Sequence, residues 1–362
     1  MTISQEAAQA ALAGVVDPNT GRDLVAGKSV RNLRVQGDTV SVDIELGYPA
    51  KSQIEPIRAA AAAALAAAGA GASTVNVTQK IVAHAVQRGV KTMANVRNII
   101  AVASGKGGVG KSTTSANLAL ALAAEGARVG LLDADIYGPS QPTMFGLSGK
   151  PISEDGKTMK PLEGHGVQVN SIGFLIDPGQ AVVWRGPIVI QALTQLLEQT
   201  DWADLDYLIV DLPPGTGDIQ LTMCQKVPLT GAVVVTTPQD IALIDARRGI
   251  DMFEKVGVPV LGIVENMAVH VCTNCGHAEH IFGEGGGARM AQEFGVELIG
   301  SLPLARDIRA DADTGKPTVA ASPDSTAAEL YKTIARRVAV KVADKAKDYS
   351  GKLPGIVVSS NT

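Results

Sequence analysis

Cysteine is scarce: three in 362 residues. Two of them, Cys272 and Cys275, are separated by only two residues. Such usage excludes a disulfide-built scaffold and fits a reduced compartment in which thiols serve as metal ligands. Long hydrophobic runs are also missing. The alanine-rich tract over residues 59–68, about ten residues, falls far short of the roughly 20 that a membrane span requires, so a packed helix is expected there. The first six residues lack the basic region and apolar core of a secretory signal, and a cytoplasmic chain is expected. Nor is one sign of charge in excess. The 32 Lys and Arg against 36 Asp and Glu leave a net charge of -4, which gives no general pull toward nucleic acid. What is present is 46% hydrophobic residues and 39 glycines, enough to bury a full core, predict two domains and exclude disorder of the whole chain.

The most informative segment is 103–114, Ala-Ser-Gly-Lys-Gly-Gly-Val-Gly-Lys-Ser-Thr-Thr. From Gly105 to Ser112 it satisfies G-x-x-x-x-G-K-S/T, in which glycines let backbone N–H groups close around phosphates. Gly105, Lys106, Gly107, Gly108, Val109, Gly110, Lys111, Ser112 and Thr113 are therefore candidate ATP-binding residues. Lys111 is expected at the β- and γ-phosphates and Ser112 on Mg²⁺. An apolar run over 98–103 predicts the strand that must precede such a loop, and 115–125 a helix whose N-terminus faces the phosphates. Lys106 is one lysine more than the motif needs.

Residues 1–80 predict a small α+β domain. It comprises a helix over 5–12, a hairpin of 30–35 with 39–46 around the turn residues Gln36-Gly37-Asp38, a helix over 52–68 and a strand over 73–78. Residues 81–96 are polar and aperiodic, including His84, Gln87, Arg88, Gly89 and Lys91, and predict a linker. Within 97–346, apolar strands at 98–103, 128–132, 207–210, 231–236, 258–264 and 297–301 alternate with helical stretches. That is the pattern of an α/β fold with a mostly parallel sheet covered by helices on both faces, and with ligands at the carboxyl ends of its strands. Residues 347–362 are expected as a tail.

Three carboxylates end such strands. Asp133 and Asp135 follow Leu131-Leu132, and Asp211 follows Leu208-Ile209-Val210, the position of an acid that helps hold Mg²⁺. The segment Leu212-Pro213-Pro214-Gly215-Thr216-Gly217-Asp218 is expected to respond to a γ-phosphate. A lone Asp commonly caps a helix, but three at adjacent strand ends favour a site.

With Lys106 in Lys-Gly-Gly-Val-Gly-Lys-Ser, the loop resembles the deviant phosphate loop of the MinD/ParA/nitrogenase-iron-protein class of dimeric P-loop ATPases. The resemblance implies that Lys106 crosses a dimer interface to the partner's nucleotide and acts in catalysis with Lys111 and Asp135. In this view Asp135 orients the attacking water, and Asp133 and Asp211 stand on the Mg²⁺ side. It also implies that Asn266 recognises adenine while Pro238 and Asp240 enclose the base. A cation carried to bound phosphates in a water-poor interface stabilises transition-state charge as an arginine finger does.

Cys272-Thr273-Asn274-Cys275 offers two thiolates to one metal or cluster. His277 and His280 could complete a zinc site within one chain. Alternatively, a 4Fe-4S cluster could be shared by two subunits, each giving one pair. The run Cys-Thr-Asn-Cys-Gly-His, then Ile281-Phe282-Gly283-Glu284-Gly285-Gly286-Gly287, with Gly138-Pro139-Ser140 and residues 212–218, resembles the Mrp/ApbC iron-sulfur carrier ATPases over about 95–337. The first domain is similar to the small iron-sulfur assembly domain often fused to them. One departure is Gly47-Tyr48-Pro49-Ala50-Lys51-Ser52, where many separate versions carry a cysteine. The resemblance implies a homodimer that hydrolyses ATP slowly and passes a cluster to apoproteins, with no nucleic acid and no stable membrane partner. Two alternatives remain: a positioning ATPase, for which the stripe Leu330, Ile334, Val338 and Val342 could be a membrane face, and an ATP-coupled reductase. Cys224, among apolar neighbours, is expected in the core, and His84 and His165 carry no expected role.

Overall fold

The structure is a computed structural model and describes residues 3–87, 90–176 and 186–345. It begins with α1 (Gln5–Ala13), whose N-cap Ser4 accepts the Ala7 N–H at 3.0 Å. β1 (Val30–Gln36) and β2 (Thr39–Leu46) pair antiparallel; α2 (Ile54–Ala67) then crosses over and returns β3 (Ala72–Gln79) parallel to β2. The crossover is needed because parallel strands cannot be joined by a tight turn. Alternation along β2 turns Val40, Val42, Ile44 and Leu46 inward, where they join Leu12, Ile57 and Leu65 of the two helices in one core.

The larger sheet has the order β13-β10-β9-β4-β8-β5-β7-β6. Its elements run β4 (Val96–Ala103), α3 (Lys111–Ala124), β5 (Val129–Asp133), α4 (Gln141–Met144), β6 (Leu162–Gly164), β7 (Val167–Ser171), α5 (Gly186–Glu198), β8 (Leu205–Asp211), α6 (Asp218–Lys226) and β9 (Gly231–Thr236). They continue with α7 (Asp240–Lys255), β10 (Val260–Glu265), the short pair β11 (His270–Val271) and β12 (Ala278–Glu279), α8 (Gly286–Phe294), β13 (Leu298–Ser301), α9 (Arg306–Asp313), α10 (Thr318–Ala321) and α11 (Thr326–Ala343). Every pairing in this sheet is parallel except that of the edge strand β6 with β7. The central strands are buried on both faces, so each supplies two cores. Ile100, Val102, Leu131 and Ile209 face α3 and α11, while Ile99, Ala101, Leu132 and Val210 face the side packed with residues of α5, α6 and α7.

Three expectations need correction. The helix foreseen from Ser115 starts at Lys111, because Gly110, left-handed at φ 82°, ends the loop and serves as the N-cap. The strands β6 and β7 and helix α5 were not foreseen. The expected linker is packed for part of its length: His84 is buried with its backbone N–H and Nδ1 at 3.2 and 3.0 Å from Asn98 Oδ1, and Gln87 donates to the Cys224 carbonyl at 2.8 Å. Arg88, Gly89 and the expected tail over 347–362 lie outside the described residues.

The two sheets meet at the C-terminal end of α3. Lys51 N–H donates to the Glu125 carbonyl at 3.1 Å, Ser52 donates from its N–H and hydroxyl to the Glu125 carboxylate at 2.9 and 2.7 Å, and Arg336 of α11 meets the same carboxylate at 2.6 Å. Arg336 also reaches Asn19 and Glu329, so one guanidinium joins both units. Tyr48, standing in the segment that lacks a cysteine, is buried and donates to Asp17 at 2.8 Å.

Candidate nucleotide site and thiol hairpin

The carboxyl ends of β4, β5, β8, β9 and β10 carry the sequence-predicted nucleotide residues on one edge of the sheet. After β4 the loop closes on itself through Ser104 Oγ, which donates to the Lys106 carbonyl at 2.9 Å. A Cβ on Gly105 would lie 2.2 Å from the Asp245 carbonyl carbon of α7, so only glycine allows this approach. Gly110 is confined twice, by its positive φ and by Asn266 Nδ2, which would stand 2.2 Å from an added Cβ. The first turn of α3 has no side-chain cap. Uncapped N–H groups behind a glycine loop form an anion site, since the helix dipole and the unpaired donors point the same way.

Lys111 is buried, with Nζ at 2.7 Å from Asp211 Oδ1, 3.1 Å from Ser112 Oγ and 3.9 Å from Asp135 Oδ2. Asp211 is wholly enclosed. Its Oδ1 also accepts from Ser115 Oγ at 2.8 Å, and its Oδ2 from Gln141 Nε2 at 2.9 Å. Gln141 and Ser115 were missed from sequence; Ser115 was legible as the residue one helical turn beyond Lys111, whereas Gln141 belongs to no motif. Lys106 is half-buried, and among the described residues its ammonium has no hydrogen-bond or ion-pair partner.

Asp133, at the end of β5, is wholly buried. Both oxygens are turned onto protein donors: Oδ1 accepts from the Asp135 N–H, and Oδ2 from the N–H groups of Ser140 and Gln141 and from Ser171 Oγ, at 3.0 to 3.2 Å. In this arrangement the carboxyl organises the loop from 133 to 141. Burial, and then the neighbouring Asp211 charge, push it up to about 7. Asp135, half-buried, is also raised, first by burial and then against the opposing pull of Lys111. The Asp133 shift has a measurable sign. Between about pH 4 and 7 the folded chain holds a proton that the unfolded chain, with its carboxyl in the ordinary range, has released. The Asp133 contribution to stability therefore falls as pH rises through that window. Urea midpoints followed across pH are expected to show this slope in the wild type and a flatter one in Asp133→Asn.

The other end of the site is β10. Asn266 follows it, nearly buried, and its Nδ2 donates to the Val109 carbonyl of the phosphate loop at 2.9 Å. Pro238 is buried against the glycine turn before α8, and Asp240 is exposed in the first turn of α7. Met267 takes φ 57°, an uncommon conformation for a residue with a side chain, and it leads into the thiol hairpin.

Cys272 and Cys275 sit in the turn between β11 and β12. Cys272 N–H donates to the His277 carbonyl, and Gly276 N–H closes the turn on the Cys272 carbonyl, each at 2.9 Å. The backbone N–H groups of Cys275 and Asn274 point at the Cys272 sulfur and hold its thiol below the usual range. Cys275 is exposed. His280 instead turns its Nδ1 to the Ala268 carbonyl at 2.8 Å. Among the described residues no three His, Cys, Asp or Glu side chains converge as metal ligands, so the pair stands as two thiols within one chain. Cys224 is core, its thiol pushed up to about 12 by burial. His165 Nε2 donates to the Gly315 carbonyl at 3.0 Å, and neither residue belongs to the site.

A family model described as a NUBPL iron-transfer P-loop NTPase matches residues 95–339. The chain belongs to that family. A second model, iron-sulfur cluster assembly protein, matches residues 5–78. Among relatives of this NUBPL-type chain, the iron-sulfur cluster carrier protein of Escherichia coli is 50% identical over 345 residues, 94% of either chain. The iron-sulfur cluster transfer protein NUBPL of Mus musculus is 51% identical over 250 residues, 68% of this chain and 78% of that one. A nucleotide-binding protein of Archaeoglobus fulgidus, solved with ADP, is 41% identical with a TM-score of 0.55, covering 61% of this chain and 88% of that one. The cell division ATPase MinD of Pyrococcus furiosus, 21% identical with a TM-score of 0.52, covers 67% of this chain and 98% of its own and shares the fold.

Proposed function

We propose that this chain is an ATP-hydrolysing iron-sulfur carrier that holds a 4Fe-4S cluster between two copies, on Cys272 and Cys275 of each, and passes it to apoproteins. The observation that carries this reading is the thiol hairpin: two cysteines in one turn, with backbone N–H groups favouring the thiolate, and no third ligand converging among the described residues. Two thiolates are half of a four-thiolate site, and a second copy supplies the other half. The names of its relatives support the same cargo.

The uncapped start of α3 and the glycine backbone fit a phosphate chain, and the nearby pocket fits a ligand that brings hydrogen bonds. Gln220 lies beside Asp135 in a cavity of about 400 Å³, with both amide atoms buried and unpartnered. Lys111 would hold the β- and γ-phosphates, Ser112 and Asp211 would lie on the Mg²⁺ side, and Asn266, Pro238 and Asp240 around the base. Bound Mg²⁺-ATP supplies the phosphoryl group whose transfer to water the site promotes. Lys111 neutralises Asp211, so one ammonium links the charge of the phosphates to that of the strand-end acid. Asp135 would orient water, and Lys106, unpartnered among the described residues, would reach the other copy's nucleotide.

A cytoplasmic setting belongs to the proposal because the thiols must stay reduced. Among the described residues no helix is long and apolar enough to cross a membrane. The stripe once open to a membrane reading is spent on packing, with Ile334, Val338 and Val342 buried in the core shared with α3. Anaerobic reconstitution with iron and sulfide is expected to give a brown protein with about one 4Fe cluster per dimer. Cys272→Ala and Cys275→Ala are each expected to stay colourless. Zinc that fills the thiols and resists reconstitution overturns the reading.

A further inference from the structure

Three consecutive residues, 265–267, stand between the phosphate loop and the thiol hairpin. Asn266 Nδ2 holds the Val109 carbonyl at 2.9 Å, and the end of the Met267 side chain would lie 4.0 Å from a Cβ on Gly110, the N-cap of α3. Glu265 serves the hairpin. Its Oε1 accepts the Gly287 N–H at 2.6 Å in the first turn of α8, where the return leg of the hairpin re-enters the fold. The N-cap of α8 is the left-handed Gly285, which has no side chain to cap the helix. The clasp on that end of the hairpin therefore comes from β10, as a carboxylate on a helix N-terminus.

A clasp of this kind is costly. Glu265 is only 4% exposed and has no ion-pair partner among the described residues, whereas a serine or aspartate just before α8 would cap the helix without burying a charge. Cβ atoms built on Gly286 and Gly287 would lie 2.7 Å from the Pro238 carbonyl oxygen and 3.0 Å from Glu265 Cβ, so this turn has no slack against β10 or the segment before α7. Met267 is held left-handed at φ 57°, a backbone state that a residue with a side chain keeps only where its surroundings impose it. The phosphate loop on one side and the clasp on the other are those surroundings. An extended backbone is the alternative open to Met267 when either contact shifts. β11 begins three residues later at His270 and runs directly into Cys272, so the change is carried to the thiols.

We propose that residues 265–267 form a two-state link through which nucleotide on the phosphate loop and occupancy of the thiol pair change each other's affinity, with Glu265 as its positioning residue. The nucleotide end of the link rests on the ATP reading above; the nature of the cargo does not enter. The test uses the full chain free of metal, with Mg-ADP and phenylarsine oxide as probes. The arsenical joins two thiols of one chain through two arsenic–sulfur bonds and releases one water, and Cys224, being buried, does not compete. Each probe is titrated alone and in the presence of the other. Mg-ADP is expected to shift the arsenical's dissociation constant at least about fivefold, and the arsenical to shift that of ADP by the same factor, because a coupling free energy is reciprocal. Glu265→Ala, and Met267→Gly, in which the left-handed state carries no strain, are each expected to bind both probes with that factor below about twofold. Glu265→Gln keeps an acceptor for Gly287 and is expected to retain the coupling. A merely structural role for Glu265 would lower the thermal midpoint and leave the factor unchanged. Independent binding of the two probes to the wild type, or a factor that survives Met267→Gly, overturns the link. Loss in Glu265→Gln as complete as in Glu265→Ala overturns the hydrogen bond as the clasp. If Glu265→Ala does not fold, Met267→Gly decides alone. Absence of ADP binding in the wild type refutes the nucleotide reading and the link with it, whereas binding without coupling refutes the link alone.

Discussion

Lys111→Ala is expected to abolish ATP turnover, with phosphate release falling by at least about 10²- to 10³-fold, the loss typical of removing one preorganised charge-stabilising donor. The same change strands Asp211. Its carboxylate is fully enclosed and would keep only the neutral donors Ser115 and Gln141 after losing an ammonium at 2.7 Å. A nucleotide-binding measurement alongside turnover separates the two effects: lost phosphate contact weakens binding, whereas disturbance of Asp211 alone is reproduced by Asp211→Asn with Lys111 intact. Asp135→Ala is expected to remove turnover with binding largely kept. Hydrolysis that survives both Lys111→Ala and Asp135→Ala would refute the assignment of the site.

Arg336→Ala is expected to cost about 3–5 kcal/mol of stability, as removal of one partner from a buried pair usually does. Its guanidinium is 6% exposed and faces Glu125 at 2% exposed, so solvent cannot take over the missing charge. Because the same group also meets Asn19, Ser52 and Glu329, Lys is expected to rescue little: a point charge cannot reproduce a planar fork with several partners. Urea unfolding of Arg336→Ala, Glu125→Gln and the double variant gives the coupling directly. A double variant as damaged as the sum of the singles would mean that the two residues act independently.

The strands of the large sheet were legible because a parallel strand buried on both faces must be apolar at nearly every position, as in Leu205–Asp211 and Gly231–Thr236. β6 and β7 escaped notice because they are short, join through the tight turn at His165 and Gly166, and include the polar Gln168 and Asn170. The phosphate loop announced itself through backbone requirements, which only glycine at fixed spacing meets. The orientation of Asp133 had no such signal, since the same residue type at the same strand end could face a ligand or the donors of its own loop. Gln141 became visible only through the register that sets β5 beside β8, pairing Asp133 with Asp211. Likewise, nothing local in residues 80–87 announces that Gln87 finds a carbonyl on α6, a partner 137 positions away.

The shared junction at Glu125 also sets a timetable for synthesis. Ser52 meets an arginine that lies 284 positions downstream, and at about 5–20 residues per second that arginine is made roughly 15–60 s later. During this interval the small unit can close its own core around Leu12, Ile44 and Leu65, and Glu125, 73 positions after Ser52, is made well before the arginine that pairs with it. Helix α11 is thus the latch that ends its apprenticeship as an independent piece.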